Sequence, residues 1–233
     1  MKFCLVLITF VSAISISKGN DIQTDFKNLN RHYLEMKNYS MDFTVDYFSA
    51  GQGTLMHQQG KVVRAGELHY VNLSGNITLM NNGECVAVNE SAHLLVYNKI
   101  GVEKNEDVIA STDVMALIDS LWAKQEGLTY KYLEAAKGKR KVYIEDKGNV
   151  YYSAYSITMD ASKFNLLELV YYVRPEANEE VNKIIIIYSN ETAKPKTGLP
   201  QYKISYYVTR TSGTLHPTEL FKNYECIDQT KIH

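Results

Sequence analysis

Apolar and polar side chains alternate with a period of two residues along much of this chain. The alternation is clearest in "MDFTVDYF", where Met41, Phe43, Val45 and Tyr47 are separated by polar residues. Successive side chains of a β-strand point to opposite faces of a sheet, so the pattern predicts a strand with one apolar and one solvated face. Because similar segments recur, we expect a mainly β protein.

Further strands are predicted at 52–64, 67–73, 77–82 and 85–97, and strand-like segments resume at Lys141. The breaks between the early strands are short and contain glycine or asparagine, which favours antiparallel hairpins over crossover units. The last strand-like segment is "QYKISYYVTR". The pattern predicts about ten antiparallel strands, and a sheet of that size usually curls.

Helical periodicity interrupts the strands in two places. Before the first strand, apolar residues at steps of four and three predict an amphipathic helix, with Asp21 as its N-cap. These residues are Ile22, Phe26, Leu29, Tyr33 and Met36. Within 107–138, "STDVMALIDSLWAKQEG" predicts an inserted helix that carries Trp122, and "YKYLEAAKGKRK" predicts a second short helix or an extended strand.

These elements predict a single domain over residues 20–233 of the α+β class, mainly β. Its core is a strongly curved antiparallel sheet or incomplete barrel of about ten strands. The N-terminal helix and one or two inserted helices are expected to cover the concave face, and "HPTELFKNYECI" is expected to cover an edge of the sheet.

The N-terminus has the layout of a secretory signal peptide over residues 1–19. A basic start precedes the apolar run "FCLVLITFVSAISI", which is short for a membrane span, and small polar residues follow. A retained membrane anchor is the alternative. Cleavage would remove Lys2 and Lys18 and leave a net charge of −3. That charge gives no reason to expect nucleic acid as a partner.

Secretion places the mature chain in an oxidising compartment with Cys85 and Cys226. They are expected either to form one disulfide or to remain two separately buried thiols. The compartment is the periplasm, or the extracellular space if the source is eukaryotic. Asn-x-Ser/Thr triplets, which begin at Asn38, Asn72, Asn76, Asn89 and Asn190, leave the kingdom open.

Motifs for catalysis are lacking in the sequence. It has no Gly-x-Ser-x-Gly, no phosphate-binding glycine loop and no His-Glu-x-x-His, and its histidines are scattered. We therefore predict no enzyme activity, catalytic residue, metal or cofactor. The basic run "KGKRK" at 137–141 is either a solvated turn or a docking patch for an anionic headgroup or a partner.

The segment from the first helix through "GKVVRAGELHYVN" and "ITLMNNGECVAVNESAHLLVYN" resembles the LolA-like lipoprotein-carrier superfamily. The resemblance is strongest over residues 21–100. Gly60, Val62, Arg64, Leu68 and Tyr70 follow one motif of that superfamily. A second motif is followed by Leu79, Gly83, Val86, Val88 and Tyr97. Ala65 stands where the superfamily usually has proline.

The resemblance implies an incomplete barrel that encloses an apolar cavity for lipid. The residues expected to line this cavity are Phe43, Val45, Leu68, Tyr70, Leu79, Val86 and Trp122. The alternative is that they form an ordinary filled core. The resemblance also implies that Arg64 latches the closed lid through carbonyls of an inserted helix, whereas the alternative is an exposed arginine on a strand.

The expected function is that of a non-enzymatic, monomeric periplasmic carrier of lipid or of lipoprotein acyl chains. It would receive cargo from an inner-membrane donor protein and pass it toward an outer-membrane acceptor. A periplasmic sensor or protein-interaction module with the same fold is the second hypothesis. A secreted eukaryotic ligand-binding barrel is the third.

Overall fold

The computed structural model describes residues 19–99 and 127–231. The predicted N-terminal helix is present as α1 (Gly19–Met36) and begins two residues before the predicted cap. Residues 1–18 of the predicted signal peptide, and the predicted inserted helix with Trp122, lie outside these ranges. Within them, no helix is both long enough and apolar enough to cross a bilayer.

The strands account for most of the regular structure. In chain order they are β1 (Asn38–Ser49), β2 (Gly53–Ala65), β3 (Leu68–Leu73), β4 (Asn76–Asn81), β5 (Glu84–Asn89), β6 (Leu94–Lys99), β7 (Leu128–Leu133), β8 (Lys139–Asp146), β9 (Tyr152–Asp160), β10 (Leu166–Val173), β11 (Lys183–Thr192), β12 (Val208–Thr211), β13 (Thr214–Pro217) and β14 (Glu225–Asp228). The short 3₁₀ helices are Pro200–Tyr202, Ile204–Tyr206, Glu219–Phe221 and Gln229–Lys231.

Twelve of these strands form one sheet, in the order β14-β6-β5-β4-β3-β2-β1-β11-β10-β9-β8-β7. Strand β1 pairs with β2 on one side and with β11 on the other, both antiparallel, so it joins the two halves of the sheet. The pair β14–β6 is parallel. The prediction of a mainly β fold with an N-terminal helix is therefore confirmed, but the sheet is mixed and has more than ten strands.

The predicted barrel-like curl was wrong: the sheet is open, with β14 and β7 as its edges, and it is not strongly curled. If the sheet closed into a barrel, the barrel interior would bury the apolar side chains of one face. Here α1 packs on one face, and residues from 202 onward pack on the other. Separate covers on both faces bury the apolar side chains of an open sheet.

Two predicted segments differ locally from the structure, and a third settles between its two alternatives. The strand predicted at 85–97 is divided into β5 and β6, because the Asn89 side chain accepts the Ala92 N–H (2.8 Å) and forms a turn. "QYKISYYVTR" forms 3₁₀ turns before β12; the first turn begins at the preceding Pro200, whose ring fixes a helical φ and which has no N–H to donate to a strand. "YKYLEAAKGKRK" begins in β7, so its strand alternative is correct over that part.

The buried side chains form two layers on opposite faces of the sheet. The α1 layer lies under the helix and comprises Ile22, Phe26, Leu29, Tyr33, Tyr39, Met41, Val62, Val71, Val142, Ile144, Tyr155, Ile157, Met159, Leu166, Leu169 and Tyr188. The C-terminal layer comprises Val63, Leu68, Tyr70, Ile77, Leu79, Val86, Val88, Leu95, Tyr97, Tyr202, Tyr207, Val208 and Leu215. Neighbours in β2, Val62 and Val63, point into different layers, as strand geometry requires.

Candidate functional site

An open cleft of about 560 Å³ lies between the first half of α1 and the hairpin formed by β7 and β8. Its lining residues come from α1, from both strands and from the turn between β9 and β10. They are Thr24, Asp25, Asn28, Tyr132, Arg140 and Phe164. The volume lies within the range typical of sites for small molecules, roughly 300–1,000 Å³.

A buried carboxylate connects α1 to the sheet at the base of this cleft. Asp25 is fully buried, and its Oδ2 accepts the Tyr132 hydroxyl at 2.7 Å. Its Oδ1 accepts Nη1 of Arg140, whose side chain remains 41% exposed. A buried carboxylate is tolerated only when it is paired and hydrogen-bonded, and both oxygens of Asp25 meet that condition.

The aromatic wall of the cleft is Phe164, whose ring centroid lies 5.6 Å from the guanidinium carbon of Arg140. Phe164 has a φ of 57°, a left-handed conformation that is unusual for a bulky residue. The turn is held by the Asp160 side chain, which accepts the backbone N–H groups of Ser162 and Lys163. These bonds, together with the Ser162 hydroxyl, lower the pKa of Asp160 to about 2.

The other end of α1 is anchored by a second polar cluster. The Tyr33 hydroxyl donates to Glu191 Oε2 at 2.8 Å and accepts the Leu166 N–H at 3.0 Å. His32 Nε2 lies 2.9 Å from Glu191 Oε1. Burial, reinforced by the Glu191 charge, raises the pKa of Tyr33 above its ordinary range. The helix is therefore fixed to β10 and β11 at this end and to β7 and β8 at the other.

The structure divides the residues predicted to line a cavity between the two faces of the sheet. Phe43 and Val45 lie on the face of α1, because the odd positions of β1 share that face with Met41. Leu68, Tyr70, Leu79 and Val86 belong to the C-terminal layer. Trp122 lies outside the described residues. The described members of the set therefore cannot line one common cavity.

The four members in the C-terminal layer sit in closely packed surroundings. Leu79 and Val86 are fully buried, and the Tyr70 ring meets the Tyr202 ring edge-on with centroids 4.8 Å apart. For this part of the set, the packing corresponds to the filled-core alternative. The cleft residues were missed, although Arg140 lies within the basic run that the sequence singled out.

Arg64 lies near the end of β2, between Tyr39 of β1 and His69 of β3 in the sheet register. It shares the face of Val62 and is therefore on the same side of the sheet as α1. Its side chain is half-buried. The predicted latch role stays a prediction, because the inserted helix that it involves lies outside the described residues.

The two cysteines are free thiols, so the disulfide alternative was wrong. Cys226 pairs with Leu95 and packs against the C-terminal layer, whereas Cys85 precedes Val86 and points to the opposite face. Strand β6 also separates them, which implies a Cα separation of about 10 Å. A disulfide needs a Cα separation below about 7 Å. Burial raises the pKa of Cys85 to about 11.

No protein-family model matches the chain, and no curated protein matches it significantly. Among solved structures, it is similar to an uncharacterized conserved protein from Thermus thermophilus. The TM-score is 0.52 and the sequence identity 10%, over 89% of this chain and 99% of that protein. This match shows a shared fold.

The chain is also similar to a LolA superfamily protein from Nitrosomonas europaea, with a TM-score of 0.34, 8% identity and coverage of 75% and 94% of the two chains. LprF from Mycobacterium bovis matches with a TM-score of 0.39, 12% identity and coverage of 76% and 97%. At these identities and TM-scores the two likenesses have no bearing on family, cargo, partner or site.

Proposed function

We propose that this protein is a non-enzymatic carrier that binds a lipid, or the acyl chains of a lipoprotein, beside α1. The observation that supports this proposal most strongly is the open cleft between α1 and β7–β8. Phe164 and the ring of Tyr132 offer apolar contact on one side, and Thr24 and Asn28 offer polar groups on the other. Such walls suit an amphipathic ligand.

Burial of part of an acyl chain would contribute to binding. Each methylene group that is removed from water contributes about 0.8 kcal/mol. The cleft of about 560 Å³ is open and has polar as well as apolar lining residues, so a bound chain would keep some contact with water and would be able to depart.

The signal-peptide pattern supports a location in the periplasm, or outside the cell if the source is eukaryotic. In the periplasmic case the monomer would take cargo from an inner-membrane donor protein and deliver it toward an outer-membrane acceptor. Arg64 keeps its proposed role as a latch that bonds carbonyls of the inserted helix. The variant Arg64→Leu is expected to change the rate of lipid transfer, and an unchanged rate would contradict the latch.

Native mass spectrometry of the protein purified from its own compartment tests the carrier proposal. We expect a mass increment that corresponds to a lipid or an acylated peptide. Protein that is consistently ligand-free, and that also binds no fluorescent fatty acid, would contradict the carrier. That outcome would favour the protein-interaction module instead.

A matched pair of variants on α1 locates the binding site. Asn28 lines the cleft, whereas Leu34 is 65% exposed and is not part of its lining. Asn28→Trp fills the cleft and is expected to weaken binding of a fluorescent fatty acid at least ten-fold. Leu34→Trp adds the same ring to the same helix and should leave the affinity unchanged. Equal affinities for both folded variants would place the ligand elsewhere.

A further inference from the structure

The cleft has a polarity that the proposed carrier function does not by itself require. We propose that it selects anionic amphiphiles, and that Arg140 binds their carboxylate or phosphate group directly. This inference rests on the proposed carrier function and assigns the chemical class of its ligand. Arg140 lies on the cleft wall and is hydrogen-bonded to the buried Asp25.

The guanidinium group of Arg140 has more N–H donors than its contacts with the protein use. A guanidinium carries five N–H donors in a planar fork that matches a carboxylate or phosphate. Among the described residues, its hydrogen bond is made through Nη1 to Asp25, and its other contact is with the ring of Phe164. With the side chain 41% exposed on the cleft wall, the remaining donors are available to a ligand.

The guanidinium is also held in place before any ligand arrives. Asp25 fixes it at one corner, and Phe164 supports it from one side. Asp25 is in turn fixed by the Tyr132 hydroxyl, so both of its oxygens are engaged. An anion that binds a positioned arginine loses less free energy to ordering than one that binds a mobile side chain.

The surrounding charge favours an anion. Lys137 is exposed in the turn before β8, and Lys163 is exposed just before Phe164. The two turns that carry these lysines are joined by a hydrogen bond from the Ala161 N–H to the Gly138 carbonyl at 2.9 Å. Clustered basic side chains raise the local concentration of anions and their rate of association. Lys137 and Arg140 are the members of the basic run at 137–141 that would take the headgroup role, because Lys139 and Lys141 lie on the opposite face of β8.

Competition between three ligands for a bound fluorescent fatty acid tests the selectivity. Palmitate supplies the chain and the carboxylate, monopalmitoylglycerol supplies the chain without charge, and inorganic phosphate supplies the anion alone. We expect palmitate to bind at least ten-fold more tightly than monopalmitoylglycerol, because hydrogen bonds between ionised groups are about twice as strong as neutral ones. Phosphate should compete only weakly.

The decisive variant removes both charges of the pair. Arg140→Gln alone would leave Asp25 as a buried carboxylate without its cation, so it is combined with Asp25→Asn. This double variant should bind the two palmitoyl ligands equally and keep the wild-type affinity for monopalmitoylglycerol. Lys141→Gln is the matched control, because Lys141 lies on the opposite face and is paired with Glu168 at 2.9 Å. It should retain the preference for palmitate.

The outcomes separate this inference from the carrier proposal. Equal wild-type affinities for palmitate and monopalmitoylglycerol would overturn the anion selectivity and leave the carrier intact. A preference that survives in the double variant would remove Arg140 as its cause and overturn the inference in the same way. Binding of phosphate alone, measured by calorimetry, together with no binding of the fluorescent fatty acid or of either palmitoyl ligand, would keep the anion site and overturn the carrier. If none of the three ligands binds, both proposals fail.

Discussion

The two layers that cover this sheet differ in how much polar chemistry they contain. The α1 layer includes the buried Asp25 and ends at Tyr33, which is hydrogen-bonded to Glu191. The C-terminal layer has hydroxyl contacts, such as those of Tyr97 with Glu84 and of Tyr207 with the Gln201 carbonyl, but no fully buried carboxylate among the described residues. Apolar contacts specify a core without directional bonds, whereas a polar anchor holds an element at particular points. The difference supports the proposal that a ligand binds on the α1 side of the sheet.

Aromatic packing shows the same contrast. In the C-terminal layer the Phe221 ring contacts those of Tyr206, Tyr207 and Tyr224, with centroids between 5.2 and 5.8 Å. These rings close over the sheet. In the cleft, Phe164 contacts the partly exposed Arg140 and leaves one side accessible. Rings that pack against each other fill space, but a ring against an exposed guanidinium forms the wall of a site.

The largest expected effect comes from a cavity in the C-terminal layer. Leu79 is fully buried, so Leu79→Ala should lower the free energy of unfolding by about 2–5 kcal/mol. Urea denaturation measures this change. Fatty-acid affinity of the folded variant should equal that of the wild type. A large loss of affinity would show that the two layers are not separate in function.

The polar anchor at the end of α1 should have a smaller effect on stability. Tyr33→Phe removes the hydrogen bond to Glu191 and leaves the buried Leu166 N–H without its acceptor. An unsatisfied buried group costs about 1–3 kcal/mol, which urea denaturation should detect. Hydrogen exchange in α1 should rise more than exchange in β4 and β5. Equal acceleration in both regions would contradict a local anchor.

Relief of backbone strain after α1 should stabilise the protein slightly. Lys37 is exposed and has a φ of 52° immediately after the helix. Glycine adopts this conformation without steric penalty, so Lys37→Gly should raise the free energy of unfolding by about 0.5–1 kcal/mol. Lys37→Ala retains the strained conformation and serves as the control. Equal free energies of unfolding for the two variants would show that the backbone at residue 37 is not strained.

The smallest effect is a pH dependence of the turn that holds Phe164. The pKa of Asp160 is about 2, below its ordinary value of 3.8, so its contribution to stability is present above pH 3.8 and is lost as the pH falls through 2. Asp160→Asn cannot titrate at this position. Urea midpoints of wild type and variant should therefore converge as the pH falls from the ordinary value of 3.8 to about 2. A constant difference would contradict the assigned role.

Local periodicity was enough to predict much of the fold. The period of two identified β1, and the steps of three and four identified the buried face of α1, because both patterns depend on neighbours in sequence. The distribution of side chains over the two faces depends on register. Phe43 and Tyr70 were placed in one cavity, and only the pairing of β1 with β2 and of β2 with β3 shows that they face opposite ways.

The cleft could not be assembled from the sequence for a related reason. Asp25 meets Tyr132 and Arg140 across 107 and 115 positions of the chain. No local pattern couples residues at such distances. A lone aspartate on a helix and an arginine in a basic run each read as solvated side chains, so the pairing emerges only when α1 is placed on the sheet.

Hydrogen exchange with and without palmitate tests the central distinction between the layers most directly. Backbone amides of α1 and of β7–β8 should exchange more slowly when palmitate is bound, whereas exchange in β3–β6 should be unchanged. Asn28→Trp should abolish the difference at the same palmitate concentration. Slowing confined to β3–β6 and the covering residues from 202 onward would contradict the account, because it would place the ligand in the layer assigned to structure.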